Sequence, residues 1–437
     1  MKRLLKQIPL YATIILFATN FKCSATTNNE ISRWLNTKYF NSMRLSKQFF
    51  KKTNNLAEIK KDLFDNYKDK KTVRILSFDG GGTRGYLQCK FLDCLYKQIG
   101  ISDDLISGDE KNKISKNKLF MNEVFDLVAG TSVGGMNAIG IANGITPTNM
   151  MRFYREKAPW IFTTRGVVDC FSNNASYPSN KPNLAKKIAM VGSSNPLYKS
   201  TNEFSNYGDA RLKQELSNMF GDKLLTSIKT PVLLTGYNYS GLHPVAFTNS
   251  AFSPVTVTIR NVKIVDALMA TAAAPIYFPS YQVHASNNTE TEPDSIVDGG
   301  LFQNNPSVLA FAQARKLFPS AEKFCLLSLG TGIKDVGEHK TAINAKQSEI
   351  AVNKYLNLLN ISMYCGVMAN DMILRTLAEI MPDFFYYRFN FRLAQDNDFS
   401  IDTSTPEIFN YFDHEVVKEY KKDMYAITRF IHKAFGG

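Results

Sequence analysis

Twice in this chain a short apolar run stops at a glycine-rich turn and gives way to a helical repeat. Val73-Arg74-Ile75-Leu76-Ser77-Phe78 ends at Asp79-Gly80-Gly81-Gly82, after which Leu87, Phe91, Leu92, Leu95 and Ile99 recur at helical spacing as far as Gly100. Val124 to Ala129 ends at Gly130-Thr131-Ser132-Val133-Gly134-Gly135 and leads into a helix from Gly134 to Ala142. Continuous apolar runs of this length read as strands buried on both faces, and strands that alternate with helices need crossover connections. The expectation is therefore an α/β fold of three layers, a mostly parallel central sheet with helices on both faces. Further runs at 232–234, 255–259 and 324–329, with helical patterns at 208–220, 263–272 and 306–318, extend the alternation. After Gly332 the pattern is chiefly helical and finishes in an amphipathic stretch from Glu415 to Phe435. No linker divides the core, and no internal repeat is visible.

The ends and one internal stretch depart from this pattern. Met1-Lys2-Arg3-Leu4-Leu5-Lys6, an apolar stretch from Ile8 to Thr19 and Cys23-Ser24-Ala25 form the three parts of a secretory signal peptide, so a secreted or extracytoplasmic location is expected. The apolar part falls short of the ~20 residues of a spanning helix, and an amphipathic N-terminal helix is the alternative. Residues 26–71 form a polar lead-in, rich in Lys and Asn, with a helical pattern through Leu56, Ile59, Leu63 and Tyr67. Residues 160–205 are irregular and dominated by Ser, Asn and Pro, with Trp160, Ile161, Phe162 and Phe171 near the start. They read as a surface excursion, a lid or membrane-touching loop being the other reading.

Charge narrows the partners only slightly. A net charge of +13 draws anionic surfaces, and lipid head groups satisfy that as well as nucleic-acid phosphates do. No zinc-finger or RNA-recognition pattern is present and the lysines are scattered, so no nucleic-acid partner is expected. The six cysteines form no C-x-x-C pair and no dense framework, which points to buried small apolar residues rather than a disulfide scaffold.

Three constellations carry chemistry. In Asp79-Gly80-Gly81-Gly82-Thr83-Arg84-Gly85, glycines allow a ligand to approach the backbone, successive N–H groups at a helix start favour negative charge, and Arg84 adds a cation. Taken alone, this loop also fits the phosphate loop of a sugar kinase with the actin-like fold. Gly130-Thr131-Ser132-Val133-Gly134 fits the G-x-S-x-G elbow, in which small residues flanking a strained serine let its hydroxyl project. A serine hydroxyl needs a base. Of the five histidines, His339, His414 and His432 come late enough for a Ser-His-Asp order, yet none sits in a strand-end turn. The better partner is Asp298, which follows Ile296-Val297 at a strand end and precedes Gly299-Gly300, in a loop that Asn304, Asn305 and Pro306 can hold.

Glycine loop, serine elbow and Asp298-Gly299-Gly300, in this chain order, resemble the three signature blocks of the patatin-like phospholipases. Thr271-Ala272-Ala273-Ala274-Pro275-Ile276-Tyr277-Phe278-Pro279 and Leu327-Ser328-Leu329-Gly330-Thr331-Gly332 resemble further segments of that family, and the likeness runs from about Val73 to Gly332, fading toward Tyr387 and Arg388. The resemblance implies a patatin-like catalytic domain at 72–390, after a signal peptide at 1–25 and the lead-in at 26–71, with a C-terminal helical extension at 391–437. It implies a lipid acyl hydrolase with a Ser132–Asp298 dyad, an oxyanion hole at Gly80, Gly81, Gly82 and Arg84, and an elbow flanked by Gly130 and Gly134. A phospholipid or other glycerolipid is the implied substrate, peripheral membrane contact the implied setting, and no cofactor or metal is called for. A relative that binds lipid without cutting it is the alternative.

Overall fold

The first of these runs forms strand β1 (Thr72–Phe78), with its neighbours in parallel register on either side: β2 (Leu127–Gly130) and β8 (Lys323–Leu329). The computed structural model describes residues 70–99, 123–162, 207–275, 277–283, 294–334, 347–393 and 400–435. The expected leader, the lead-in up to residue 69, most of the irregular stretch, His284 and His339 lie outside the described residues.

The main sheet also contains β3 (Val232–Asn238), β4 (His243–Thr248), β5 (Val257–Ile259), β6 (Tyr281–Val283), β7 (Asp294–Asp298) and β10 (Phe384–Phe389). Its order is β10-β8-β1-β2-β3-β4-β5. The five strands from β10 to β3 are parallel, whereas β4 and β7 run antiparallel to β3. A separate two-residue pair joins β9 (Ile333–Lys334) to β11 (Arg392–Leu393).

Alternation along the strands builds the expected three layers. Leu76, Phe78, Val128, Leu234, Leu327 and Leu329 face one helical layer, and Ile75, Leu127, Ala129, Leu233 and Leu326 face the other. The first layer holds α1 (Gly85–Gln98), α2 (Val133–Ala142), α3 (Pro147–Ile161), α4 (Ala210–Phe220) and α5 (Ile264–Thr271). On the other face, beyond the one-turn α6 (Gly300–Gln303), lie α7 (Ser307–Leu317) and α8 (Gln347–Ile380), with Ala310, Phe311, Ala314 and Leu374 packed on the sheet. Burying each large side chain contributes roughly 1.5–3 kcal/mol, so both faces of the sheet are held by hydrophobic contact.

The amphipathic stretch expected from Glu415 to Phe435 falls on two helices, α9 (Pro406–Lys422) and α10 (Met424–Phe435), parted at Asp423. α9 buries Phe409, Phe412 and Val416, and α10 buries Ile427, Phe430 and Ala434, so both helices turn an apolar face to the core. Arg155 of α3 ties α9 to the core through Asp413 at 2.6 Å and through its cation over the Tyr86 ring. Strand β10 went unread because its Phe384-Phe385-Tyr386-Tyr387-Arg388-Phe389 run lies within otherwise helical sequence.

Candidate active site

The parallel strands β1 and β2 end side by side, which brings the glycine loop against the serine turn. Thr131 N–H donates to the Phe78 carbonyl at 3.2 Å, and a Cβ on Gly80 would lie 3.2 Å from the Ser132 Cβ. Ser132 itself has φ 57°, ψ −127°, in the region that side chains other than glycine avoid. Two bonds hold it there. Its N–H donates to Thr271 Oγ1 at 3.0 Å, and that hydroxyl donates in turn to the Thr235 carbonyl at 2.6 Å. Backbone strain of this kind persists only where the surroundings over-determine it, and it concentrates at functional sites.

Sheet topology brings the acid to the serine. β3 pairs with β2 along its first half, with Leu234 opposite Gly130, and with antiparallel β7 along its second half, with Gly236 opposite Asp298. Strands β2 and β7 therefore approach each other end to end along one edge of β3. At about 3.3 Å per residue, Asp298 stands roughly 7 Å beyond the tip of β2, the gap that the Thr131–Ser132 turn fills. The Ser132 side chain lies beside the Asp298 carboxylate, close enough to favour its charged form, and Oδ1 accepts the Gly300 N–H at 2.6 Å. Burial pushes the Asp298 pKa up to about 6, with the Ser132 and Gly300 donors pulling the other way. Asp298 is thus a stronger base than an ordinary carboxylate.

Within the glycine loop the expected set of N–H donors changes. Gly80 N–H donates to the Asn304 carbonyl at 3.1 Å, which commits it to the fold and corrects the expectation that it faces an oxyanion. Asp79 N–H is taken by Leu329, Thr83 N–H by Ile401, Arg84 N–H by Gly81 and Gly85 N–H by the turn before it. Among the described residues, the loop N–H groups without an acceptor are those of Gly81 and Gly82. Arg84 braces the loop, its Nε donating to the Gly81 carbonyl at 3.3 Å. Burial lowers its pKa to about 10, with Tyr277 acting in the opposite sense, so the guanidinium is still a cation at neutral pH.

Several residues around the site carry no sequence signal as site residues. Arg388 reaches across β8 to Asp79, bonding Oδ1 at 3.1 Å and Oδ2 at 2.5 Å while donating to Ser328 Oγ at 2.7 Å. Burial works against the Arg388 cation, but the Asp79 carboxylate outweighs it and raises the pKa. Gln88 donates to the Asp79 and Leu329 carbonyls, both at 2.9 Å, and Asn137 donates to Gln88 at 2.8 Å. Only the strand-order-dependent closeness of these segments could have revealed them. His414 and His432 lie exposed on α9 and α10, and among the described residues no histidine hydrogen-bonds Ser132 or Asp298. Among the described residues, too, no group of three or more His, Cys, Asp and Glu side chains is arranged to hold a metal ion.

A family model described as patatin-like phospholipase matches residues 76–311. The protein named cGAMP-activated phospholipase from Vibrio cholerae serotype O1 is 29% identical over 270 residues, which cover 60% of this chain and 65% of that one. Patatin-like protein 2 from Oryza sativa subsp. indica is 27% identical over 303 residues, covering 63% and 65%. The matches thus span just under two thirds of those relatives' length. Among solved structures, VipD from Legionella pneumophila aligns with a TM-score of 0.36 and 12% identity, over 80% of this chain and 67% of that one.

Proposed function

The chain belongs to the patatin-like phospholipase family, and from that premise we propose that it is a serine lipid acyl hydrolase of phospholipase A or lysophospholipase type, acting on fatty-acyl esters of glycerolipids. The observation that carries this reading is the strained Ser132 turn set beside a buried carboxylate whose pKa is raised to about 6. Ser132 Oγ attacks the ester carbonyl as its proton passes to Asp298, and the carbonyl oxygen takes up the negative charge. Collapse of the tetrahedral adduct breaks the ester C–O bond, and Asp298 returns the proton to the leaving alcohol or lysolipid. Water then attacks the acyl-serine, giving its proton to Asp298, and the fatty acid leaves as Ser132 is reprotonated. The unpaired N–H groups of Gly81 and Gly82 are the donors for the oxyanion, and each well-aimed donor of this kind is worth about 3–4 kcal/mol. The Arg84 cation, beside the same loop, suits a substrate phosphate.

The decisive test is labelling of the full chain with a fluorophosphonate, followed by incubation with defined phospholipids and mass analysis of the products. Covalent modification at Ser132 with release of free fatty acid is expected, and a chain that binds lipid but neither reacts nor releases acid would sink the reading. Because one relative is named for activation by cGAMP, both measurements are made with and without a cyclic dinucleotide.

Asp298 must be ionised to accept the proton, so kcat/KM rises tenfold per pH unit below about 6 and levels off above it. A limb centred near pH 4, the ordinary carboxylate range, would show that burial does not raise the pKa of the base.

Peripheral contact with a lipid surface belongs to the same proposal. Ile361, Tyr364, Met368 and Met372 are exposed along one face of α8, and a Cβ on Gly300 would lie 2.9 Å from the Cε of nearby Met363. Placing glutamate at both Ile361 and Met372 is expected to weaken sedimentation with phosphatidylglycerol vesicles by about tenfold and to leave hydrolysis of a monomeric short-chain ester unchanged. Unaltered sedimentation would move the contact elsewhere. Secretion directed by residues 1–25 is the remaining part of this reading, and the N-terminal sequence of protein recovered from medium tests it.

A further inference from the structure

Arg388, Ile401 and Thr403 lie beyond the stretch matched by the family model, yet they hold the glycine loop at both ends. At the near end, the Arg388 fork grips Asp79, a buried pair in which both side chains are almost fully removed from solvent. At the far end Thr83 is buried, and it donates its N–H to the Ile401 carbonyl and its Oγ1 to the Thr403 carbonyl, both at 2.7 Å. The bracing segment is itself fixed, because Asp402 accepts from the Tyr207 and Ser400 hydroxyls, each at 2.5 Å. Between the anchors, Gly82 adopts φ +59° and packs so tightly on the Ile401 carbonyl that no Cβ fits. Gly81 and Gly82, the two loop residues with unpaired N–H groups, are the ones suspended between these anchors.

We propose that Arg388 and the Ile401–Thr403 segment are positioning elements that hold the Gly81 and Gly82 N–H groups in the orientation an oxyanion requires. Turnover then depends on a C-terminal segment that itself stays clear of substrate. The inference rests on the acyl-hydrolase reading above. Its physical basis is that a donor preorganised for the transition state contributes through its aim, so a loosened loop loses rate while ground-state binding is kept.

Thr83→Val preserves shape and removes the Oγ1 donor, whereas Thr83→Ser retains it. In the full chain, Thr83→Val is expected to lower kcat about 10- to 100-fold with KM within about threefold, and to slow fluorophosphonate labelling of Ser132 by a similar factor. Thr83→Ser should stay close to wild type. Arg388→Lys keeps the charge but loses the two-pronged grip and should act in the same direction. It carries the test if Thr83→Val does not fold. Valine and serine variants that behave alike, or a change confined to KM, would overturn the proposal, as would an Arg388→Lys enzyme with unchanged kcat. A wild-type chain that the fluorophosphonate fails to label would defeat the hydrolase reading instead, whatever the Thr83 variants do.

Discussion

Ser132→Ala and Asp298→Asn are each expected to reduce release of fatty acid by about 10⁴-fold or more, the scale on which serine hydrolases lose turnover when one member of the reacting unit is removed. The two variants should nevertheless differ in stability. The Asp298 carboxyl has an ordinary value of 3.8 and is pushed up to about 6 in the fold. Between these values the unfolded chain has released its proton while the folded chain keeps it, so stability falls as pH rises through this window and the loss is complete above about 6. At pH 8 the buried charge costs on the order of 3 kcal/mol. Asparagine carries no charge, and its carbonyl oxygen can still accept the Gly300 N–H. Asp298→Asn should therefore be inactive and melt several degrees above wild type at pH 8, with the gap closing below about pH 4. Ser132→Ala should show no such pH-dependent gain. The check is thermal melting of both variants at pH 4 and pH 8 beside an acid-release assay. Full activity in Ser132→Ala would rule out that serine as nucleophile, and an Asp298→Asn chain whose advantage over wild type is no larger at pH 8 than at pH 4 would show that the acid is not held against its charge.

Sequence reading reached what is local and stopped where the chain folds back from a distance. β1, β2 and β8 are dense apolar runs at the centre of the sheet and stand out, because burial on both faces leaves no room for polar alternation. β7 contributes little more than Ile296 and Val297 to the core, and nothing in Asp294–Asp298 indicates that it enters antiparallel, end to end with β2. That insertion brings Asp298 to Ser132, and only the shape of both strand ends, each with its glycines, hinted at the meeting. The glycine loop shows the opposite outcome. Three consecutive glycines read as three equivalent donors, but the carbonyl of Asn304, 224 residues downstream, claims the first. Arg388 stayed out of sight for the same reason, since its carboxylate partner lies 309 residues away in sequence and two strands away in the sheet. Local patterns give elements and candidate nucleophiles, whereas the pairing of polar groups is settled by strand order.

Gly134→Ala should abolish detectable labelling of Ser132, although alanine favours a helix more than glycine does by about 1 kcal/mol. A Cβ at this position would come within 2.5 Å of the Phe78 carbonyl oxygen and 2.6 Å of that of Asp79, and both are backbone atoms of the strand end and loop that carry the glycine donors. Neither can rotate away as a flexible side chain would. Relief requires β1 and α2 to separate, which pulls the serine turn from the glycine loop and breaks the Thr131 bond to Phe78. Displacing a reacting group by even about 1 Å costs on the order of 100-fold in rate. Gly130→Ala should be at least as severe, since its Cβ would run into the carbonyl of Gly134 itself. Gly144→Ala, at a turn just past α2 with open space around the site of the new methyl group, is the matched control: its φ of +79° strains the backbone, but nothing is pushed apart. It should lose some stability and label at close to the wild-type rate. If Gly134→Ala labelled as fast as the Gly144 control, the closeness of β1 and α2 would not be what positions Ser132, and the site would have to owe its geometry to the β3 side alone.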